Sequence, residues 1–289
     1  MQRNATTHYP ILLVHGLFGF ERIGQFELFH KVREALVTTG NRVFVPHLSA
    51  AHDNEVRGEQ LLLQIDRVLK GTGAGKVNLI GHSQGALAAR YAAALAPHRV
   101  ASVTSVSGPN QGSELADTLR KALVPDRLPE VVAQNVATLF ADFISLLSGG
   151  GTLPQNALAA LNALTTEGVG AFNDRFPQGL PPTWGGQGAA QVNGVRYYSW
   201  SGVLPATHLP SFDPIQNACQ ALSQYFMTEG DQNDGFVGRF SSHLGQVIRS
   251  DYPLDHLSTL RRSASTVASL LDPIALYVEH AARLRAVNL

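Results

Sequence analysis

The sequence predicts an α/β fold, a mostly parallel central sheet with helices on both faces. Two observations carry that expectation. The first hundred residues alternate between short apolar runs and amphipathic helical stretches, the order that produces a parallel sheet covered on both sides. Glycine and proline fall where one run gives way to the next. In such sheets ligands bind beyond the carboxyl ends of the strands, so residues there are the first candidates for function.

Ile11, Leu12, Leu13 and Val14 form a four-residue apolar run ending in His15-Gly16 and read as a buried strand. Residues 26–37 follow a helical pattern stopped by Gly40, and residues 42–45 read as a strand stopped by Pro46. Residues 58–69 form an amphipathic helix with Leu61, Leu62, Ile65, Val68 and Leu69 on one face. Residues 76–80 read as a strand, 86–95 as an alanine-rich helix and 100–106 as a strand again. The glycines at 71, 73 and 75 before Lys76 suggest a phosphate loop, but Val77 stands where serine or threonine is needed and a strand follows in place of a helix. Tyr197-Tyr198-Ser199-Trp200 reads as a strand, because no basic patch accompanies it to make a base-stacking platform.

Composition narrows the function classes. The chain has 289 residues, with 22 basic and 22 acidic side chains and zero formal net charge. No whole-molecule field therefore draws in nucleic acid or an anionic membrane. Hydrophobic residues make up 44%, which excludes a disordered chain. No unbroken apolar run approaches the roughly 18 residues of a spanning helix. Charged residues are only 15%, against roughly 25% in soluble domains, which predicts an apolar, weakly charged surface. Cys219 is the one cysteine, so no internal disulfide can form. Length alone suggests about two domains, yet no linker or repeat divides the chain, and one domain over 1–289 is expected. The first ten residues lack the basic start and apolar run of a cleaved secretory leader. Export without such a leader, or a mature form, is expected, with the cytoplasm as the alternative.

Gly81-His82-Ser83-Gln84-Gly85 joins the strand ending at Ile80 to the helix opening at Ala86. This is the G-x-S-x-G elbow in the strand–turn–helix setting it requires, and it points to the α/β-hydrolase fold with Ser83 as nucleophile. The glycines leave room for a sharp turn that lifts the serine above the sheet. Val14-His15-Gly16-Leu17-Phe18-Gly19 follows the first strand, where this fold supplies one oxyanion-hole N–H. The backbone amides of Leu17 and Gln84 are the expected donors, and His15 is expected to brace the loop from the core.

An acid and a base must follow in the order Ser, Asp/Glu, His. His208, His243, His256 and His280 are the late histidines, and Asp231, Asp234, Asp251 and Asp255 the nearby acids. Asn233-Asp234-Gly235-Phe236-Val237 puts an acid at a strand-end turn, and His256 follows Tyr252-Pro253 in a loop-like segment. These contexts favour Asp234 orienting His256, and His256 taking the Ser83 proton. His243 is the rival base and otherwise a surface histidine.

At this point the chain resembles the bacterial true lipases of family I.1, the Proteus and Pseudomonas type, over nearly its whole length. The resemblance rests on residues 10–17, 81–85 and 233–238, on Asp255-His256-Leu257, and on Phe212-Asp213-Pro214 and Asn54-Glu55-Val56-Arg57-Gly58. It implies hydrolysis of triacylglycerols and long-chain fatty esters, and it supports Ser83, Asp234 and His256 by position. The family also implies a structural calcium near the histidine, at positions matching Asp213, Ser258 and Arg262. Here one carboxylate has become serine and a guanidinium has arrived, whereas calcium wants six to eight oxygen ligands. The expectation is no calcium and no other cofactor, with Arg262 (or Arg261) pairing with Asp213 to tie the His256 loop down. Asp255 is the residue that could rebuild an altered metal site.

Residues 128–149 carry Val132, Val136, Leu139, Phe140, Phe143, Ile144 and Leu147 at helical spacing. Pattern alone favours an ordinary packed helix; the family resemblance implies a lid over the acyl pocket. With helices at 154–164 and from Thr165 onward, this makes a helical cap inserted at about 115–177. The expected partners are a lipid–water interface and a fatty ester, with no nucleic acid, no integral membrane and a monomeric chain. A soluble short-chain carboxylesterase or a polyester depolymerase shares the same chemistry. A catalytically silent binding protein of this fold and a nucleotide-binding α/β protein are the readings from other classes.

Overall fold

The computed structural model describes residues 5–17, 29–124, 127–148, 156–205, 213–262 and 271–289, with backbone alone over 143–148. Among these residues, seven strands form one sheet in the order β2-β1-β3-β4-β6-β5, with β7 also on β6. They are β1 (Ile11–Val14), β2 (Val43–Phe44), β3 (Val77–His82), β4 (Val100–Val106), β5 (Gln191–Val192), β6 (Val195–Gly202) and β7 (Gln246–Tyr252). Every pairing is parallel except β5 with β6. This is the mostly parallel sheet that the alternating pattern predicts.

The four buried residues of β1 show how one strand serves two layers. Ile11 and Leu13 pack with Val32 and Leu36 of α1 (His30–Thr38) and with Leu276 and Tyr277 near the chain's end. Leu12 and Val14 pack with Leu61 and Ile65 of α2 (Asn54–Thr72) and with Ala88 and Ala92 of α3 (Gln84–Leu95). The period-two alternation of a strand thus sends successive side chains to opposite faces, and both faces are covered by helices.

Helix boundaries follow their caps. The Asp53 side chain accepts the Val56 N–H at 2.8 Å and starts α2 at Asn54, four residues before the helix that the sequence predicts over 58–69. Gly73, at φ 68°, ends it. Helix α1 begins at His30, later than the pattern over 26–37 suggests, and residues 26–28 lie outside the described residues.

Among the described residues, four helices stand between β4 and β5: α4 (Glu114–Ala122), α5 (Glu130–Ser148), α6 (Ala157–Asn162) and α7 (Thr166–Arg175). Their apolar faces form a third core with α8 (Pro214–Ser223), through Leu115, Leu119, Val136, Leu161, Phe172, Cys219 and Leu222. On α5, Val136 is buried and Leu139 and Phe140 pack against this core, while Val131 and Val132 face solvent. The side chains of Phe143, Ile144 and Leu147 lie outside the described residues. Helix α9 (Pro273–Ala286) closes the chain against α1. Among the described residues, no helix is long and apolar enough to cross a membrane.

Candidate active site

The carboxyl ends of β1 and β3, adjacent in the sheet, meet at Ser83. The serine adopts φ 55° and ψ −131°, a conformation few L-residues hold, and one that surrounding structure must enforce. Its N–H donates to the Val106 carbonyl at 3.0 Å, and its carbonyl accepts the Ala86 N–H at 3.0 Å. A Cβ on Gly81 would sit 2.5 Å from the Gly85 carbonyl carbon, and one on Gly85 would collide with the Val14 carbonyl. Gly16 lies against the serine itself, since a Cβ there would fall 2.7 Å from Ser83 Cβ.

The Leu17 and Gln84 amides flank this turn. Gln84 opens α3, so its N–H is one of those left without an intrahelical acceptor at a helix start. Its side-chain amide is held by the His52 carbonyl at 2.8 Å and Asn54 Oδ1 at 3.1 Å. Leu17 lines the cleft over Ser83, and Phe18 and Gly19 lie outside the described residues.

Arg57, fully buried on α2, donates to the carbonyls of His15 at 2.5 Å and Gly16 at 3.2 Å, and to that of Ser49. Burial pushes its pKa down to about 9. His15 is buried beside it and braces the loop as expected, its Nδ1 3.0 Å from the Gly16 carbonyl. Burial, then the Arg57 charge, push His15 down to about 4. Arg57 stands in the 54–58 motif, which by itself assigns it no role. The available signal was a charged residue one turn before Leu61 and two before Ile65, on the apolar face of α2.

Asp234 is fully buried and divides its oxygens. Oδ1 accepts the N–H groups of Phe236 at 3.0 Å and Val237 at 2.8 Å, while Oδ2 lies 2.9 Å from His256 Nδ1. The backbone repeats the link, because the His256 N–H donates to the Asp234 carbonyl at 2.9 Å. The Phe236 ring stacks on the imidazole at 5.0 Å between centroids. Asp234 occupies a tight loop closed by a bridge between Asn233 and Gly238, rather than the end of a strand as the sequence suggests. The loop needs Gly235 at φ 94°, with Cys219 packed too close for a Cβ.

Ser83 and His256 face one cleft, lined otherwise mainly by apolar residues from α4, α5 and α6 and by Phe236, Val237 and Leu257. His243, the rival base, lies elsewhere. It is buried rather than at the surface, with Nδ1 2.9 Å from the Gly186 carbonyl and its ring edge-on to Phe240, because the loop around Gly186 folds over it. His280 is buried beneath the sheet on Thr104 Oγ1 at 2.7 Å, and His208 lies outside the described residues.

The positions matched to the family's calcium do not fit a cation. Asp213 caps α8 through the Ile215 N–H and accepts Arg261 Nη2 at 2.6 Å. Arg262, expected as the partner of Asp213 ahead of Arg261, instead meets Asp272 at 2.5 Å. Successive residues at the end of this turn point apart, which leaves Arg262 on the solvent side, where Asp272 caps α9. Ser258 donates to Asp255, whose carboxylate also accepts the N–H groups of Leu257 and Ser258. Asp255 is thereby committed to shaping the turn after His256. Among the described residues, no group of three or more histidine, cysteine or carboxylate side chains is set to hold a metal.

A serine on a strained strand–helix turn, above a parallel sheet and beside a buried acid–imidazole pair, defines the class of α/β hydrolases. A model of the alpha/beta hydrolase fold matches residues 9–215. A triacylglycerol lipase of Pseudomonas fragi is 59% identical over the full length of both chains, and one of Vibrio cholerae is 45% identical over 98% of this chain and 89% of its own. The chain belongs to the alpha/beta hydrolase family and, within it, to the group of these bacterial triacylglycerol lipases. Among solved structures, Staphylococcus hyicus lipase matches with a TM-score of 0.63 at 16% identity over 97% of both chains, a likeness of fold.

Proposed function

We propose that this chain is a lipase of the family I.1 type, hydrolysing triacylglycerols and long-chain fatty esters. The observation that carries this reading is the Asp234–His256 pair, 2.9 Å apart, beside Ser83 in an apolar cleft. In this reading Asp234 holds His256 with its proton on Nδ1, leaving Nε2 free to take the Ser83 proton as Oγ attacks the ester carbonyl. The Leu17 and Gln84 amides receive the oxyanion, each worth about 3 kcal/mol. His256 then returns its proton to the leaving alcohol, and the acyl group stays on Ser83. Water gives a proton to His256 and attacks the acyl carbonyl; the fatty acid departs as Ser83 regains its hydrogen.

Helices α4–α7 act as a cap on a single domain, with α5 as a lid whose apolar face meets the lipid surface. The chain works as a monomer, without a metal or organic cofactor: the guanidinium of Arg261 supplies at Asp213 the positive charge that calcium would bring.

The test is the hydrolysis rate against ester chain length, above and below each ester's solubility limit. Activity that persists on emulsified long-chain esters is expected. A steady fall beyond short dissolved esters would instead favour a soluble carboxylesterase or a polyester depolymerase. Ser83→Ala is expected to abolish labelling by a fluorophosphonate, and persistent labelling would refute the nucleophile.

A further inference from the structure

One polar side chain in the cleft takes no part in the proton path from Ser83 to Asp234. His82, the last residue of β3, is 2% exposed. Its Nε2 lies 3.0 Å from the backbone carbonyl of His256, 174 positions away in sequence. The two imidazoles lie 4.7 Å apart between centroids, tilted by 50°. A carbonyl can only accept, so His82 carries its hydrogen on Nε2.

We infer that His82 is a positioning residue that fixes the separation of nucleophile and base; the inference rests on the roles assigned above to Ser83 and His256. The peptide units bearing the two reacting side chains come from different elements, one on the sheet and one on a loop. Other bonds also hold the His256 backbone. Its N–H reaches the Asp234 carbonyl, and Thr259 Oγ1 donates to its carbonyl at 2.7 Å. The first ties the base to its acid and the second acts within its own turn. The His82 bond instead ties the turn to the sheet, and it starts one residue before Ser83. Burial and the neighbouring His256 hold His82 well below the ordinary imidazole range, so it places no charge against the imidazolium that forms on His256.

Three substitutions separate this role from simple packing. A Gln side chain brings an N–H near the site of imidazole Nε2, Asn is too short to reach the His256 carbonyl, and Phe keeps a ring without a donor. On a dissolved p-nitrophenyl ester, His82→Asn and His82→Phe are expected to lower kcat about tenfold or more with KM within about twofold. His82→Gln is expected to recover kcat to within about threefold of the parent. Wild-type kcat in either donor-lacking variant overturns the inference. So does a His82→Gln as slow as His82→Phe, or a loss confined to KM. If one donor-lacking variant fails to fold, the other carries the comparison. Ser83→Ala, run alongside, separates the two levels. Retained turnover there sinks the nucleophile assignment, whereas a dead Ser83→Ala with unaffected position-82 variants sinks only the role of His82.

Discussion

Arg261 Nη2 closes on Asp213 at 2.6 Å and joins the turn after His256 to the first turn of α8. The carboxylate is 6% exposed and the guanidinium 32%, so solvent screens the pair only in part. Arg261→Gln is expected to cost about 1–2 kcal/mol, within the range between exposed and buried pairs. In a chain of this size that is a fall of several degrees in Tm. Incubation with EDTA is expected to leave both Tm and hydrolysis unchanged. A large loss on chelation would overturn the metal-free reading.

Arg57 fastens the loop that precedes Leu17. Arg57→Met removes the donor from three carbonyls, and each buried carbonyl left unmet costs about 1–3 kcal/mol. The expected result is a lower Tm and a fall in kcat of about 10- to 100-fold. Lysine should not restore either, because a single ammonium cannot span carbonyls that a planar fork reaches together. A kcat within twofold of the parent would show that the loop holds its shape without the guanidinium.

Asp234→Asn keeps an oxygen for the Phe236 and Val237 N–H groups but loses the carboxylate facing His256. Stability should change little. The rate on a dissolved ester is expected to drop by about 10⁴, as the imidazole loses its enforced tautomer and the partner of its cation. Steady-state kcat measured beside Tm separates the two effects.

Stability should weaken in mild acid. Burial holds His15 at about 4, His280 at about 3 and His82 well below its usual range. An unfolded chain protonates these rings near pH 6.5, so between about 4 and 6.5 the unfolded state binds more protons and stability rises with pH. Glu229 runs the other way. Burial lifts its carboxyl from 4.5 to about 7, so its contribution is full below 4.5 and lost as pH rises through 7. Burial also lowers His243, so four imidazoles against one carboxyl leave a net rise. A Tm that stays flat from pH 4.5 to 6.5 would contradict it, and Glu229→Gln should steepen the rise.

Local signals explain what was legible in the sequence. β1 is a continuous apolar run and β3 and β4 are mainly apolar with a few small polar residues, because all three are buried on both faces, and the elbow at Ser83 carries its own glycines. Asp234 and His256 could be named from loop chemistry, and the structure pairs the buried Asp234 with His256, which lines the cleft with Ser83. What was illegible depends on tertiary contact. β7 is an edge strand with Arg249 and Asp251 among its residues, so no apolar run marks it. The exchange of Arg262 for Arg261 at Asp213 turns on which way two adjacent side chains point. The burial of His243 depends on a loop more than fifty residues upstream. Nothing within α2 says that Arg57 reaches carbonyls on another element.

The collisions that a Cβ would meet at Gly16, Gly81 and Gly85 also constrain how this protein can change. Saturation libraries at these three positions should return glycine almost alone among active clones, because the backbone itself is the mould for Ser83. Variation in acyl preference must then be written into the side chains of α4, α5 and α6, which touch the cleft without carrying the elbow. A lineage, or a designer, can reshape the roof of this site while the floor stays as it is.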